Sequence, residues 1–422
     1  MTALTHQIDR IKIKLPGTRS TVTLDQVAAF EARHSIQLPE DFKLFITQIG
    51  PGPGPFQGIH WLGEKLSARA DNLTRSSLSM PCLIWPGMTD KEWRRLEASC
   101  QPAPDTPPGE GRLVRDRLLG GVLSIGSLGY GWIGLVLNGK FLGRVVYLYE
   151  EGGKPLFTYE KNFLDWYERW RDEVIAGELV GDRKARFGYA VGGSAEHLLE
   201  TFRNAEDDIL RGGCLDGLLY QNTLDEWILN EVERELPRTH KHLQGRLLRV
   251  LTKFSYERAA RHLETLASHD IQAFCECLYY HAKRKCPDWL NVVADNMASI
   301  DDVETFELCT HVLHEASASY ATLIVPFTES PDPLMRAYAF KALAKTKDKA
   351  EHIDVCMRGL EDSSEGVVQC TLHALEGVRD DRLLASYARL AREVTAEKQH
   401  LFAALKKRLK ELDLTVEAAR AL

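Results

Sequence analysis

Apolar and polar positions alternate in two different ways along this chain, and the change falls near residue 180. Before it the periods are mixed. Thr23 to Arg33 places Leu24, Val27, Ala28 and Phe30 on one helical face, with Thr23 as N-cap. A second short helix is expected from Pro39 to Ile46, because proline at a first helical position and acids in the first turn suit a helix start. Gly50 ends it, and Pro51-Gly52-Pro53-Gly54-Pro55 cannot continue it. Asp90 to Ser99 reads as a third helix, followed by a proline-rich loop from Gln101 to Gly111. Val122 to Ile125, Trp132 to Leu137 and Arg144 to Tyr149 are β-branched and aromatic runs that predict strands, with Asn138-Gly139 as a two-residue hairpin turn. Phe163 to Val174 then sets Phe163, Trp166, Tyr167 and Trp170 on one helical face.

From Gly177 to Ser194 periodicity is lost and glycine recurs, which places a linker at 179–194 between domains at 1–178 and 195–422. Beyond it strand signals vanish and helical spacing continues to Leu422. The breaks repeat. Ser330-Pro331-Asp332-Pro333-Leu334-Met335-Arg336 aligns with Asp362-Ser363-Ser364-Glu365-Gly366-Val367-Val368 at an offset of about 32 residues, with weaker copies at Ile300-Asp301-Asp302 and Ser268-His269-Asp270. Two helices per unit cannot bury an apolar face alone, so stacking must supply the core.

Bulk composition narrows the classes. With 422 residues, 44% hydrophobic and 27% charged, the chain is ordinary globular material for two or three domains. No apolar run is long enough for a membrane span, and the first residues lack the apolar core of a signal peptide, so a cytoplasmic protein is expected. Nine scattered cysteines then read as reduced, mostly buried thiols. Met1 to Glu178 carries about 21 basic and about 21 acidic side chains, so the net charge of −7 belongs to the rest. An acidic helical half disfavours direct nucleic-acid binding and would draw a basic protein.

Several segments carry a resemblance. Leu38-Pro39-Glu40-Asp41-Phe42-Lys43-Leu44-Phe45, the turn Ile49-Gly50-Pro51-Gly52, the glycine-punctuated Leu128 to Leu137 with Gly143-Arg144-Val145 after it, and Asn162-Phe163-Leu164-Asp165-Trp166-Tyr167 together resemble the SUKH superfamily in order and spacing. The stretch from Leu66 to Gly111 exceeds what that compact fold needs. Asp332-Pro333-Leu334-Met335-Arg336-Ala337-Tyr338-Ala339 resembles a HEAT-type repeat. The expected fold class is therefore an α+β SUKH-like domain followed by an all-α HEAT-like solenoid. The SUKH resemblance implies an immunity protein of bacterial competition, which binds a cognate toxin, commonly a nuclease or another secreted effector. Eukaryotic relatives are scaffold or signalling regulators, and a cytoplasmic scaffold acting through the repeats is the alternative.

Chemistry is missing where an enzyme would need it. No nucleophile elbow, P-loop, dinucleotide fingerprint or zinc-protease helix occurs, so no catalytic residue, cofactor or metal is assigned. Ser124 to Gly129 lacks the lysine and the strand-to-helix context of a phosphate loop. Cys275, Cys277, His281 and Cys286 are close in sequence, yet residues two apart on a helix face different ways. Some DNA glycosylases are built on HEAT-type repeats, but their phosphate-binding groove is basic and this half is acidic. Candidate partner-binding residues remain. Tyr130 and Trp132 are strand aromatics or anchors, and Trp61 and Trp85 are similarly open. Asp270, Asp301, Asp302, Asp332, Asp362 and Glu365 are helix caps or an acidic rim that steers a basic partner, and caps on successive repeats line one edge in either case. Oligomeric state is not legible.

Overall fold

The computed structural model describes residues 3–14, 21–60, 77–100, 117–149, 153–317, 319–394 and 398–422. Contacts divide the chain into two compact units, Met1–Leu224 and Asp225–Leu422. The first is α+β and the second, among the described residues, is helical. Trp61, the segment 61–76 and the proline-rich loop 101–111 lie outside the described residues.

The first unit opens with α1 (Ala3–Lys14), α2 (Leu24–His34) and α3 (Glu40–Gln48). Thr23 and Gln26 form a reciprocal capping box at the start of α2. Only Val27 of the expected α2 face is buried: Leu24 is 73% exposed, because this helix touches the core along one edge. Next come α4 (Asp90–Cys100), β1 (Val122–Ser127), β2 (Gly131–Val136), β3 (Val145–Tyr149), β4 (Leu156–Phe157) and α5 (Phe163–Ile175).

The four strands pair antiparallel in the order β1-β2-β3-β4. A bulge between Ser124 and Gly126 bends β1. Side chains alternate across the sheet, so each strand feeds two cores. Ile133, Leu135, Val145 and Tyr147 point into one core, with Phe42 and Phe45 of α3 and Phe163, Trp166 and Tyr167 of α5. Trp132, Val136, Val146 and Leu148 point into the other, where Trp93 of α4 and Ile84 and Met88 before it cover the sheet. The segment that exceeded the compact fold thus contributes a second cover.

The Asn138-Gly139 turn differs from the expected two-residue hairpin. The ladder closes where Gly143 N–H donates to Val136 O at 2.9 Å, leaving a longer loop between. Asn138 is used elsewhere: its amide donates to Met80 O and its carbonyl accepts from Cys82 N–H, both at 2.8 Å. That side chain clips the second cover to the sheet.

The glycine-rich stretch is not a free linker. After the short helix α6 (Gly181–Ala185), Phe187 and Ala190 are buried in the first unit. Gly188 has φ of +82° and packs on the Tyr147 ring, a place where a Cβ would collide. Arg169 of α5 donates to Ala190 O at 2.9 Å. The helices α7 (Ala195–Asn204) and α8 (Asp208–Leu219) therefore belong to the first unit, and the division falls at Leu224 rather than within 179–194.

The second unit comprises α9 (Glu226–Glu235), α10 (Lys241–Phe254), α11 (Tyr256–Ala267), α12 (Ile271–His281), α13 (Leu290–Met297), α14 (Val303–Ala316), α15 (Ala321–Ile324), α16 (Pro333–Leu343), α17 (Ile353–Gly359), α18 (Glu365–Ala374), α19 (Leu383–Glu393), α20 (Gln399–Glu411) and α21 (Val416–Arg420). Short 3-10 turns at Lys283–Trp289, Val325–Glu329 and Lys349–His352 adjoin α13, α15 and α17. The even-numbered helices pack in succession from α10 to α20, with the odd-numbered pieces beside them. Links between neighbours recur at nearly constant separation: Trp289 to Tyr256 at 33 residues, Lys341 to Glu307 at 34, and Arg389 to Leu360 at 29. Each piece touches the next and little else, which makes stability a sum of nearest-neighbour terms.

The even-numbered helices run parallel. Between α12 and α14, Gln272 meets Thr305, Cys275 meets Cys309 and Tyr279 meets His311, in the same order along both. The Glu307–Lys341 pair joins α14 to α16. Parallel helices set their N-terminal ends on one edge and their C-terminal ends on the other, so the macrodipoles add side by side.

Candidate partner-binding surface

On the first unit, the loop after β1 presents Tyr130, which is 62% exposed. Its ring lies parallel to that of Tyr149, with centroids 6.4 Å apart. Tyr149 donates from its hydroxyl to that of Tyr189 at 2.9 Å. Burial raises both of these phenols above their ordinary range, with the mutual hydrogen bond adding for Tyr189. The result is a neutral aromatic patch backed by Tyr147 and Trp166, whose indole N–H donates to the Tyr147 hydroxyl at 3.0 Å. Tyr149 and Tyr189 were not singled out in the sequence. Tyr189 sits in the stretch read as a linker, so nothing local marked it.

Trp132 is not part of this surface. It is buried at 8% exposure in the second core, under the cover that includes α4. Alternation sends residues 130 and 132 to the same side of a regular strand, but Tyr130 precedes the first residue of β2 and escapes that rule. Trp85 is 37% exposed on the second cover.

On the second unit the acidic candidates fall at the N-terminal ends of the even-numbered helices, and three of the six act there as caps. Asp270, Asp302 and Asp332 accept from Ala273, Thr305 and Leu334 N–H at 2.9, 2.8 and 2.9 Å. Asp362 is not the cap of α18. Ser364 holds that position, while the Asp362 carboxylate accepts from Ser364 N–H and takes a two-pronged contact from Arg336, at 2.7 and 2.9 Å. Those Arg336 hydrogen bonds hold the Asp362 carboxyl below its ordinary range. Glu365 pairs with Lys398 at 2.9 Å. Asp301 is exposed beside the Asp302 cap. The positive ends of the helices, Arg336 and Lys398 offset much of the field this edge would otherwise project.

The opposite halves of the same helices carry a strip that the sequence did not announce. Tyr279 of α12 stacks on His311 of α14 with centroids 4.9 Å apart. Lys283 sits 4.2 Å over the Tyr279 ring, and Lys341 sits 4.6 Å over the Tyr338 ring of α16. Tyr280, next to Tyr279, is 57% exposed. Tyr279 and His311 are 32 residues apart, one repeat's spacing, while Tyr338 falls 27 after His311, so the sequence offered only a partial signal.

The cysteine and histidine cluster separates in space. Cys277 turns to α10, with its sulfur 4.0 Å from Gly245 O, whereas Cys275 turns to α14, 3.5 Å from the sulfur of Cys309. Burial drives the Cys277 and Cys286 thiols up to about 12 and about 11, which keeps them protonated and poorly nucleophilic. Ser124 to Ser127 belongs to the bulged strand β1, with Gly126 against Gly58 O, rather than to a ligand loop. A shallow cleft of about 240 Å³ between Leu236, Leu248, Leu266 and His262 is largely apolar, and its His269 is bonded to Thr265 O at 2.7 Å.

No helix among the described residues is long and apolar enough to cross a membrane. Compared with protein-family models, curated proteins and solved structures, the chain matches none of them.

Proposed function

We propose that this protein is an immunity protein, which binds a cognate toxin and neutralises it by stoichiometric occlusion. One observation carries the reading: the segments that resemble the SUKH superfamily, far apart in sequence, build a single core. Phe42 of the proline-led helix packs edge-on against Phe163 of the closing helix, with centroids 4.9 Å apart. The buried Asp41 carboxylate accepts from Leu164 N–H at 3.3 Å, and the Tyr167 hydroxyl donates to Pro53 O at 2.7 Å. Ile133 and Leu135 of the glycine-punctuated strand complete that core.

In this reading the helical stack is a HEAT-like solenoid that enlarges the binding surface, and the toxin's active site or substrate channel is covered rather than modified. Tyr130 and its two tyrosine neighbours suit an anchor of the hot-spot type. The test is co-expression of this chain with the product of the adjacent gene, paired with co-purification. Restored growth together with a stable complex supports immunity. A harmless neighbour that does not associate removes that support and leaves the scaffold alternative.

A further inference from the structure

We infer that the strip across α12, α14 and α16 is a docking site for an acidic segment of a partner protein. This rests on the reading that the chain acts by binding a protein, and it reverses the sign of partner charge that composition suggests. Lys283 covers the Tyr279 ring that stacks on His311, Lys341 and Lys345, later in the sequence, act on His311, and the exposed Tyr280 meets Tyr279 edge-on. Two carboxylates reach these lysines, Glu315 to Lys283 at 3.5 Å and Glu307 to Lys341 at 2.7 Å. Lys345 is exposed and makes no ion pair among the described residues.

Around His311 the lysines outnumber the carboxylates. After burial, Lys345 is the largest influence holding His311 below its ordinary range, with Lys341 and His314 adding and only Glu307 opposing. At the end of α12, burial and then Arg249 and Lys253 of the neighbouring α10 push His281 down to about 4. The whole chain carries −7, so this strip stands out against its surroundings. Lysines over tyrosine rings keep their ammonium groups at the surface while the rings offer apolar contact. Three helices packed about 10 Å apart span about 20 Å, the length of roughly six extended residues. The occupant is then a short extended stretch with acidic groups interleaved with aromatic or apolar ones.

The test uses the full chain and a fluorescein-labelled peptide of about ten residues alternating glutamate and tyrosine, followed by fluorescence anisotropy, with a lysine–tyrosine peptide as counterpart. The acidic peptide binds, weakens as salt rises, and loses at least about tenfold in affinity on Lys283→Glu with Lys345→Glu. Lys345→Glu alone, which breaks no ion pair, gives a smaller loss in the same direction and guards against misfolding of the double variant. Absence of binding, binding unchanged by charge reversal, or stronger binding of the basic peptide overturns the proposal. Each of these outcomes is independent of whether the natural partner is a toxin, so failure here is distinct from failure of the immunity reading.

Discussion

Arg336 and Asp362 offer a direct probe of how the second unit holds together. Arg336 donates from all three of its nitrogens to one junction: Nε and Nη2 to the Asp362 carboxylate, and Nη1 to Ser330 O at 2.8 Å and Pro331 O at 3.2 Å. Both side chains are mostly shielded, at 16% and 13% exposure. Charge-assisted hydrogen bonds contribute about 1.5–3 kcal/mol each, and partial exposure pulls the sum down, so a coupling of about 2 kcal/mol is expected for the pair. Arg336→Ala, Asp362→Ala and the double variant form the cycle, read by urea unfolding. Because the stack is a chain of nearest-neighbour contacts, the loss should concentrate in hydrogen-exchange protection of α16 and α18 and leave α10 and α12 near wild type. The pH sign follows from the depressed Asp362 carboxyl: its stabilisation is present above the unfolded pKa of about 3.9 and is lost as pH falls through the lower folded value. Wild type and Arg336→Ala should therefore converge in acid. A coupling under about 0.5 kcal/mol, or protection lost evenly through the unit, would refute this account of the junction.

Three further outcomes are expected. Trp132→Ala should destabilise the first unit by about 3–5 kcal/mol while Tyr130→Ala costs under about 1 kcal/mol, measured by chemical denaturation, since one ring is in a core and the other on the surface. Gly359→Ala should cost about 1–3 kcal/mol, because the new Cβ meets the Phe340 ring and the Thr371 hydroxyl inside the α16–α18 packing; a neutral result would show that this seam relaxes freely. His281 should stay neutral down to about pH 4 in an NMR titration, whereas the unfolded chain takes up that proton near pH 6.5. Stability then declines as pH falls through that interval, and His281→Asn should flatten the decline.

How far the sequence could be read depended on the range of the signal. Strands with β-branched runs and helices with a capping residue were legible because their information is local: α3, α4, α5 and the three longer strands lie within a few residues of expectation. The caps at Asp270, Asp302 and Asp332 were legible for the same reason. What escaped needed contacts distant in sequence. Asn138 looked like a turn residue, but its side chain is claimed by Met80 and Cys82, more than fifty positions away. The glycines near 190 looked like slack, and they are instead the small residues that let this stretch lie against Tyr147 and Arg169. Trp132 read as either a strand aromatic or an anchor, and the second cover, distant in sequence, decides for the first by burying it. The Tyr279–His311 strip combines three helices, and no single window of sequence contains it.

The central claim is binding in place of catalysis, and titration of the purified chain into an activity assay of the adjacent gene's product tests it most directly. The account predicts that inhibition grows linearly and completes at one molar equivalent, with the toxin recovered intact on dissociation. Loss of toxin activity at a small fraction of an equivalent, or a toxin left chemically altered, would contradict it.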